Sequence, residues 1–95
     1  MPHRIDIYIG SDNGSRKISK NHLKRVQEWA SGIFPEGYTL LKGNGYWQGV
    51  TEESLIINVL CEYDVALRNK IERLKHELRQ ESVLVVRSAV DLEVV

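Results

Sequence analysis

The chain has 95 residues, with 13 Lys and Arg balanced by 13 Asp and Glu. That length gives one domain and one core, and the charge balance argues against nonspecific nucleic-acid binding or a polybasic membrane anchor. The lone cysteine, Cys61, cannot form an internal disulfide, and no apolar run reaches the ~18–20 residues of a membrane helix. Met1-Pro2-His3-Arg4 leads into an alternating segment and not into an apolar leader, so the expected compartment is the cytoplasm.

Arg4 to Ile9 alternates, with Ile5, Ile7 and Ile9 on one side and Arg4, Asp6 and Tyr8 on the other, which reads as a strand with one buried face. Gly10 to Lys17 is a polar loop rich in turn residues. Ser19 offers a helix N-cap. Leu23, Val26, Ala30 and Ile33 follow at helical spacing, with Trp29 beside them, and Gly32 and Pro35 mark the end of a helix near Ser19 to Ser31.

After the Glu36-Gly37 turn, Tyr38 to Leu41 is strand-like and the pattern runs on through Trp47. Gly43 and Gly45 predict a bulge or a close approach there. Gln48 to Glu53 reads as a polar connection. Ser54 to Cys61 is the most apolar strand, and its apolar residues on both faces predict a central strand covered on both sides. Asp64 can cap a second helix whose buried stripe is Leu67, Ile71, Leu74 and Leu78. Ser82 to Val86 is a final strand, and Asp91 to Val95 either adds a short edge strand or frays.

The order strand, helix, strand, strand, helix, strand is the α+β ferredoxin-like arrangement. It has a four-stranded antiparallel sheet with two helices on one face and the first and third strands at its centre. The whole chain, 1–95, reads as one such domain. Two helices cover one sheet face only, so an apolar open face carrying Leu84 and Val86 predicts a homo-oligomer, a dimer first.

Several segments resemble a family of short bacterial and bacteriophage proteins, a domain of unknown function. Gly43-Asn44-Gly45-Tyr46-Trp47 before the apolar strand is similar to its glycine–aromatic motif. Gln80-Glu81-Ser82-Val83-Leu84 is similar to the string that opens its last strand. Phe34-Pro35-Glu36-Gly37-Tyr38-Thr39 resembles its turn into the second strand, and Ile7-Tyr8-Ile9-Gly10 fits its first strand. The resemblance spans most of the chain, and lies closer to the phage-type members. It implies the ferredoxin-like fold and a bacterial or phage-infected cell. It implies no established activity, though small phage proteins often bind and sequester host molecules.

Chemistry-bearing residues are sparse. His3, His22 and His76 lack metal-ligand spacing, so no metal or other cofactor is expected. Cys61 has no activating neighbour and reads as an inert core thiol. Ser15, Arg16 and Lys17, in a loop between strand and helix, are candidates for holding an anion, against the plainer reading of a flexible turn. Tyr46 and Trp47 offer flat faces for stacking on a base, or else cap the core or the oligomer.

Three functions stay open. The first is a non-enzymatic oligomer binding a small, nucleotide-like molecule at a subunit interface near Tyr8, Tyr46, Trp47, Glu81 and Arg87. The second is a protein–protein interaction module, such as a phage inhibitor of a host protein. The third is a small acid/base enzyme using Glu81, His22 or Tyr46. No nucleic-acid polymer and no membrane is expected as partner.

Overall fold

Ile5, Ile7 and Ile9 are all fully buried, and they line the inner face of the first strand, β1 (His3–Gly10). The computed structural model describes residues 2–11, 14–61 and 66–95, together with all side chains in these ranges except that of Trp47. Five further elements follow β1: α1 (Lys20–Ile33), β2 (Thr39–Trp47), β3 (Val50–Cys61), α2 (Arg68–Glu77) and β4 (Leu84–Ala89). The four strands form one antiparallel sheet in the order β2-β3-β1-β4. This is the ferredoxin-like α+β fold expected from the sequence, with the first and third strands central.

Alternation fixes which side chains meet the helices. Ile5, Ile7 and Ile9 stand opposite Val59, Ile57 and Leu55 of β3. The helices close over this surface with Val26 and Ala30 of α1 and with Ile71 and Leu74 of α2, while Phe34, Leu67 and Leu78 fill in just beyond the helix ends. Each such aliphatic side chain contributes roughly 1.5–3 kcal/mol when fully buried. Trp29 packs edge-on against Phe34, with ring centroids 6.2 Å apart, and its indole N–H donates to the Lys70 carbonyl at 3.2 Å, joining α1 to α2.

Ser19 caps α1 as read from the sequence, accepting from the His22 N–H at 3.0 Å. Gly32 does not end the helix. The chain continues to Ile33, and the Phe34 N–H still reaches the Ala30 carbonyl at 2.8 Å before Pro35 stops it. The buried stripe also differs: His22, Val26 and Ala30 are buried, while Leu23 and Ile33 are only partly so. The Asp64 cap lies outside the described residues.

The β2–β3 pairing corrects two expectations. The ladder runs unbroken from Thr39↔Asn58 to Trp47↔Val50, so Gly43 and Gly45 make no bulge. The connection is only Gln48 and Gly49, both with positive φ (50° and 79°), the pattern of a two-residue type I′ hairpin. Thr51, Glu52 and Glu53 therefore belong to β3, not to a loop. The other ends shift too. The last strand begins at Leu84 and runs to Ala89, and residues 91–95 form no strand and are exposed.

The outer sheet face carries Tyr8, Leu41, Ile56, Leu60, Leu84 and Val86. Leu60 and Leu84 are 53% and 60% exposed, so β3 is covered on one side only within this chain. Asp6 is the exception on that face. It is buried, and held by the Arg4 Nε–H at 2.8 Å and the Asn58 amide at 2.7 Å. Burial alone would raise its carboxyl pKa. The two hydrogen bonds and the Arg4 charge outweigh that and hold it below its ordinary range.

Candidate functional site

β1 stops at Gly10, but β3 extends past it, because Gly10 pairs with Ser54 and Val50 to Glu53 lie further on. That overhang needs partners for its backbone and side chains, and the loop after β1 supplies them. The Glu53 N–H donates to the Arg16 carbonyl at 2.9 Å, and the Glu53 carboxylate accepts from the Ile18 N–H at 2.7 Å and pairs with Lys42 Nζ at 3.2 Å. The Ile18 hydrogen bond, then the Lys42 contact, holds the Glu53 carboxyl below its usual range.

Alternation sends Glu52 to the other side, the outer face. There its Oε1 accepts from both the Ser11 N–H (3.0 Å) and the Ser11 hydroxyl (2.8 Å). Gln80, entering from the segment between α2 and β4, donates through Nε2 to the Ser11 carbonyl at 2.8 Å. On the inner side the buried His22 ring donates from Nε2 to the Gly10 carbonyl at 2.9 Å, since that oxygen can only accept. Four segments distant in sequence thus meet at Gly10 and Ser11.

Gly10 is what lets them meet. A Cβ at this position would sit 3.1 Å from both Glu52 Oε1 and Gln80 Oε1. Two acceptor side chains therefore close over Gly10, which leaves room for them because it has no side chain of its own. Glu52 Oε2 and Gln80 Oε1 take no hydrogen bond from the described residues. Beside them on the same face lie Tyr8 and its two cross-strand neighbours, Ile56 and Leu84. The result is a patch with an apolar, partly aromatic floor and an acceptor-rich rim, suited to a flat ligand that carries hydroxyl, amino or cationic groups.

The five residues singled out from the sequence do not all converge here. Tyr8 is in the patch. Glu81 is exposed next to Gln80, and it is Gln80 that reaches the site. Tyr46 is 77% exposed near the hairpin tip and alternates to the helix side of the sheet. Trp47 pairs with Val50 at the tip. Arg87 stands opposite Ile5, three residues along β4 from Leu84, or about 10 Å away. Within one chain Tyr46 and Arg87 thus lie away from Tyr8 and on the other face of the sheet.

Ser15, Arg16 and Lys17 lie exposed at the same end of the molecule. The Ser15 hydroxyl closes a local turn with the Lys17 backbone (3.1 and 3.2 Å), and the Ile18 N–H is held by Glu53. The Ser11, Lys17 and Ile18 N–H groups are thus engaged, those of Ser11 and Ile18 by carboxylates. Asp12 and Asn13 of that loop lie outside the described residues. Cys61 is half-buried, with its thiol 3.8 Å from the His3 carbonyl. Among the described residues no three His, Cys, Asp or Glu side chains group as metal ligands, and no helix is long and apolar enough to cross a membrane.

No protein-family model and no curated protein matches the chain. Solved structures do. A phage SAM lyase in its apo state is 22% identical with a TM-score of 0.63, covering 90% of this chain and 78% of the lyase. The likeness is one of fold. The phage SAM lyase in complex with S-methyl-5′-thioadenosine is 20% identical (TM-score 0.62, 92% of this chain, 80% of the other). The divalent cation tolerance protein Cut A1 from Thermus thermophilus is 16% identical (TM-score 0.56, 98% and 87%).

Proposed function

We propose that this chain is an oligomeric protein that binds a small nucleoside-type molecule over Gly10, with Glu52 and Gln80 as acceptors and Tyr8, Ile56 and Leu84 as the floor. The observation that carries the reading is the pair of acceptor side chains brought over a glycine beside an aromatic, apolar patch. A ribose presents hydroxyl donors to such a rim, and a base presents a flat face to such a floor. The phage neighbour in complex with S-methyl-5′-thioadenosine makes adenosine thioethers the first ligands to test. Membership of the phage-type family that the Gln80-Glu81-Ser82-Val83-Leu84 string resembles belongs to the same proposal.

Calorimetry of the full chain with S-methyl-5′-thioadenosine, S-adenosylmethionine and a set of linear and cyclic nucleotides tests this. At least one is expected to bind. Glu52→Gln keeps an acceptor for Ser11 but removes the charge, and is expected to weaken that ligand about tenfold, or ~1.4 kcal/mol. Silence from every compound at millimolar concentration sinks the nucleoside reading.

A second reading is favoured by the likeness to the phage SAM lyase and by the Glu52 carboxylate: cleavage of S-adenosylmethionine. The substrate's own carboxylate would attack its γ-carbon and close a lactone as the carbon–sulfur bond breaks; the electron pair of that bond would leave on sulfur, giving the neutral thioether S-methyl-5′-thioadenosine, and Glu52 would face the positive charge being lost. Chromatographic detection of that thioether separates a lyase from a binding protein.

A further inference from the structure

The segment after β4 alternates acidic and apolar residues but has no layer to lie on. The Val90 N–H donates to the Pro2 carbonyl at 3.1 Å, so the β1–β4 pairing ends there. Beyond it, Asp91-Leu92-Glu93-Val94-Val95 alternates acidic and apolar residues up to Val94. Leu92 is 42% exposed, and Val94 and Val95 are fully exposed. Extended, five residues reach about 16 Å. The segment leaves the sheet at the end opposite the Gly10 site, and its exposure shows that it does not fold back on its own chain.

The same end of the open face offers a surface with matching chemistry. Leu60 and Val86 are 53% and 43% exposed, and flank Arg4 and Asp6 in the pairing. Arg4 uses only Nε on Asp6, and its terminal nitrogens have no partner among the described residues, with the side chain 53% exposed. An acidic–apolar strip and a basic–apolar surface on one molecule are complementary between two copies.

We infer that residues 91–95 of one copy lie across the lower half of a second copy's open face. Leu92 and Val94 sit against Leu60 and Val86, and Asp91 or Glu93 meets Arg4. This rests on the oligomeric part of the proposed function and names the segment that builds the assembly.

Sedimentation equilibrium of the full chain and of a chain ending at Val90 tests it, with thermal melts to confirm folding. The shortened chain is expected to melt as before and to dissociate at least about tenfold more readily. If it does not fold, the full-length variant carrying Leu92→Asp and Val94→Asp takes its place with the same expectation. In a Cys61→Ser background, Leu60→Cys with Leu92→Cys is expected to give a disulfide between copies under mild oxidation. A full chain that is monomeric at tens of micromolar overturns the oligomeric reading itself. A full chain that assembles, with a shortened chain or doubly substituted variant that assembles equally well and no cross-link, overturns the role of the tail alone.

Discussion

Asp6 is a carboxylate set into an otherwise apolar surface, and its two hydrogen-bond partners decide its charge. Its pKa is lower in the folded chain than its ordinary value near 3.8, because the Asn58 and Arg4 bonds outweigh burial. A lowered folded-state pKa contributes stability above the unfolded value, and that contribution is lost as pH falls through the folded one. Glu53, lowered chiefly by the Ile18 N–H, acts in the same direction. Urea midpoints measured from pH 6 to pH 2.5 are therefore expected to fall below about pH 4, and Asp6→Asn is expected to flatten that decline. An unchanged slope in Asp6→Asn would show that the Arg4–Asp6–Asn58 group adds nothing to acid sensitivity. The site was harder to read than this residue. Glu52 and Glu53 look alike in sequence, as adjacent carboxylates in a polar stretch. Only their place on a strand gives them opposite faces, Glu52 to Ser11 and the outer patch, Glu53 to Ile18 and Lys42. Gln80 was equally hidden, since its partner, Ser11, lies 69 residues away.

At the scale of elements, caps and turns carry the local instructions. Removing the Ser19 hydroxyl from the start of α1 leaves the His22 N–H without its acceptor. Ser19→Ala is expected to cost about 1 kcal/mol of stability by denaturant titration, and with His22 loosened, the Gly10 carbonyl contact should loosen too. Equal midpoints for Ser19→Ala and the parent chain would refute the cap's contribution. Most of the fold was legible because each element has its own period. The alternation of Ile5, Ile7 and Ile9 and the spacing of Leu67, Ile71, Leu74 and Leu78 both survive into the buried core. The tight turn of the β2–β3 hairpin was not legible. Its turn places Gln48, a residue with no special ease in the left-handed region, at φ 50°, where Asn or Gly is the usual signal. With the turn unseen, the start of β3 was read as a loop.

For the whole molecule, the open face is the dominant unsatisfied surface. Tyr8, Leu41, Leu60, Leu84 and Val86 are all exposed on one side of the sheet, and a shared apolar face of this kind marks an interaction surface. Leu84→Glu puts a charge on the β4 side of that patch, opposite Tyr8, without touching the buried core. It is expected to leave the melt within about 0.5 kcal/mol of the parent chain while shifting any assembly toward monomer in light scattering. Assembly that persists unchanged in Leu84→Glu would move the interface elsewhere.

The central position of β1 also has a price in time. His3–Gly10 is made first, yet one of its neighbours in the sheet is β4, with His3 opposite Ala89. At a ribosomal rate of roughly 5–20 residues per second, the three core isoleucines wait about 4–16 s after synthesis before their second flanking strand exists. The β2–β3 hairpin, closed by a two-residue turn, needs no such wait and can zip within microseconds. Nascent chains should therefore hold a formed hairpin beside an incomplete sheet. A chain lacking β4 should present β1 as a bare edge, and recruit chaperones or aggregate where the full chain does not.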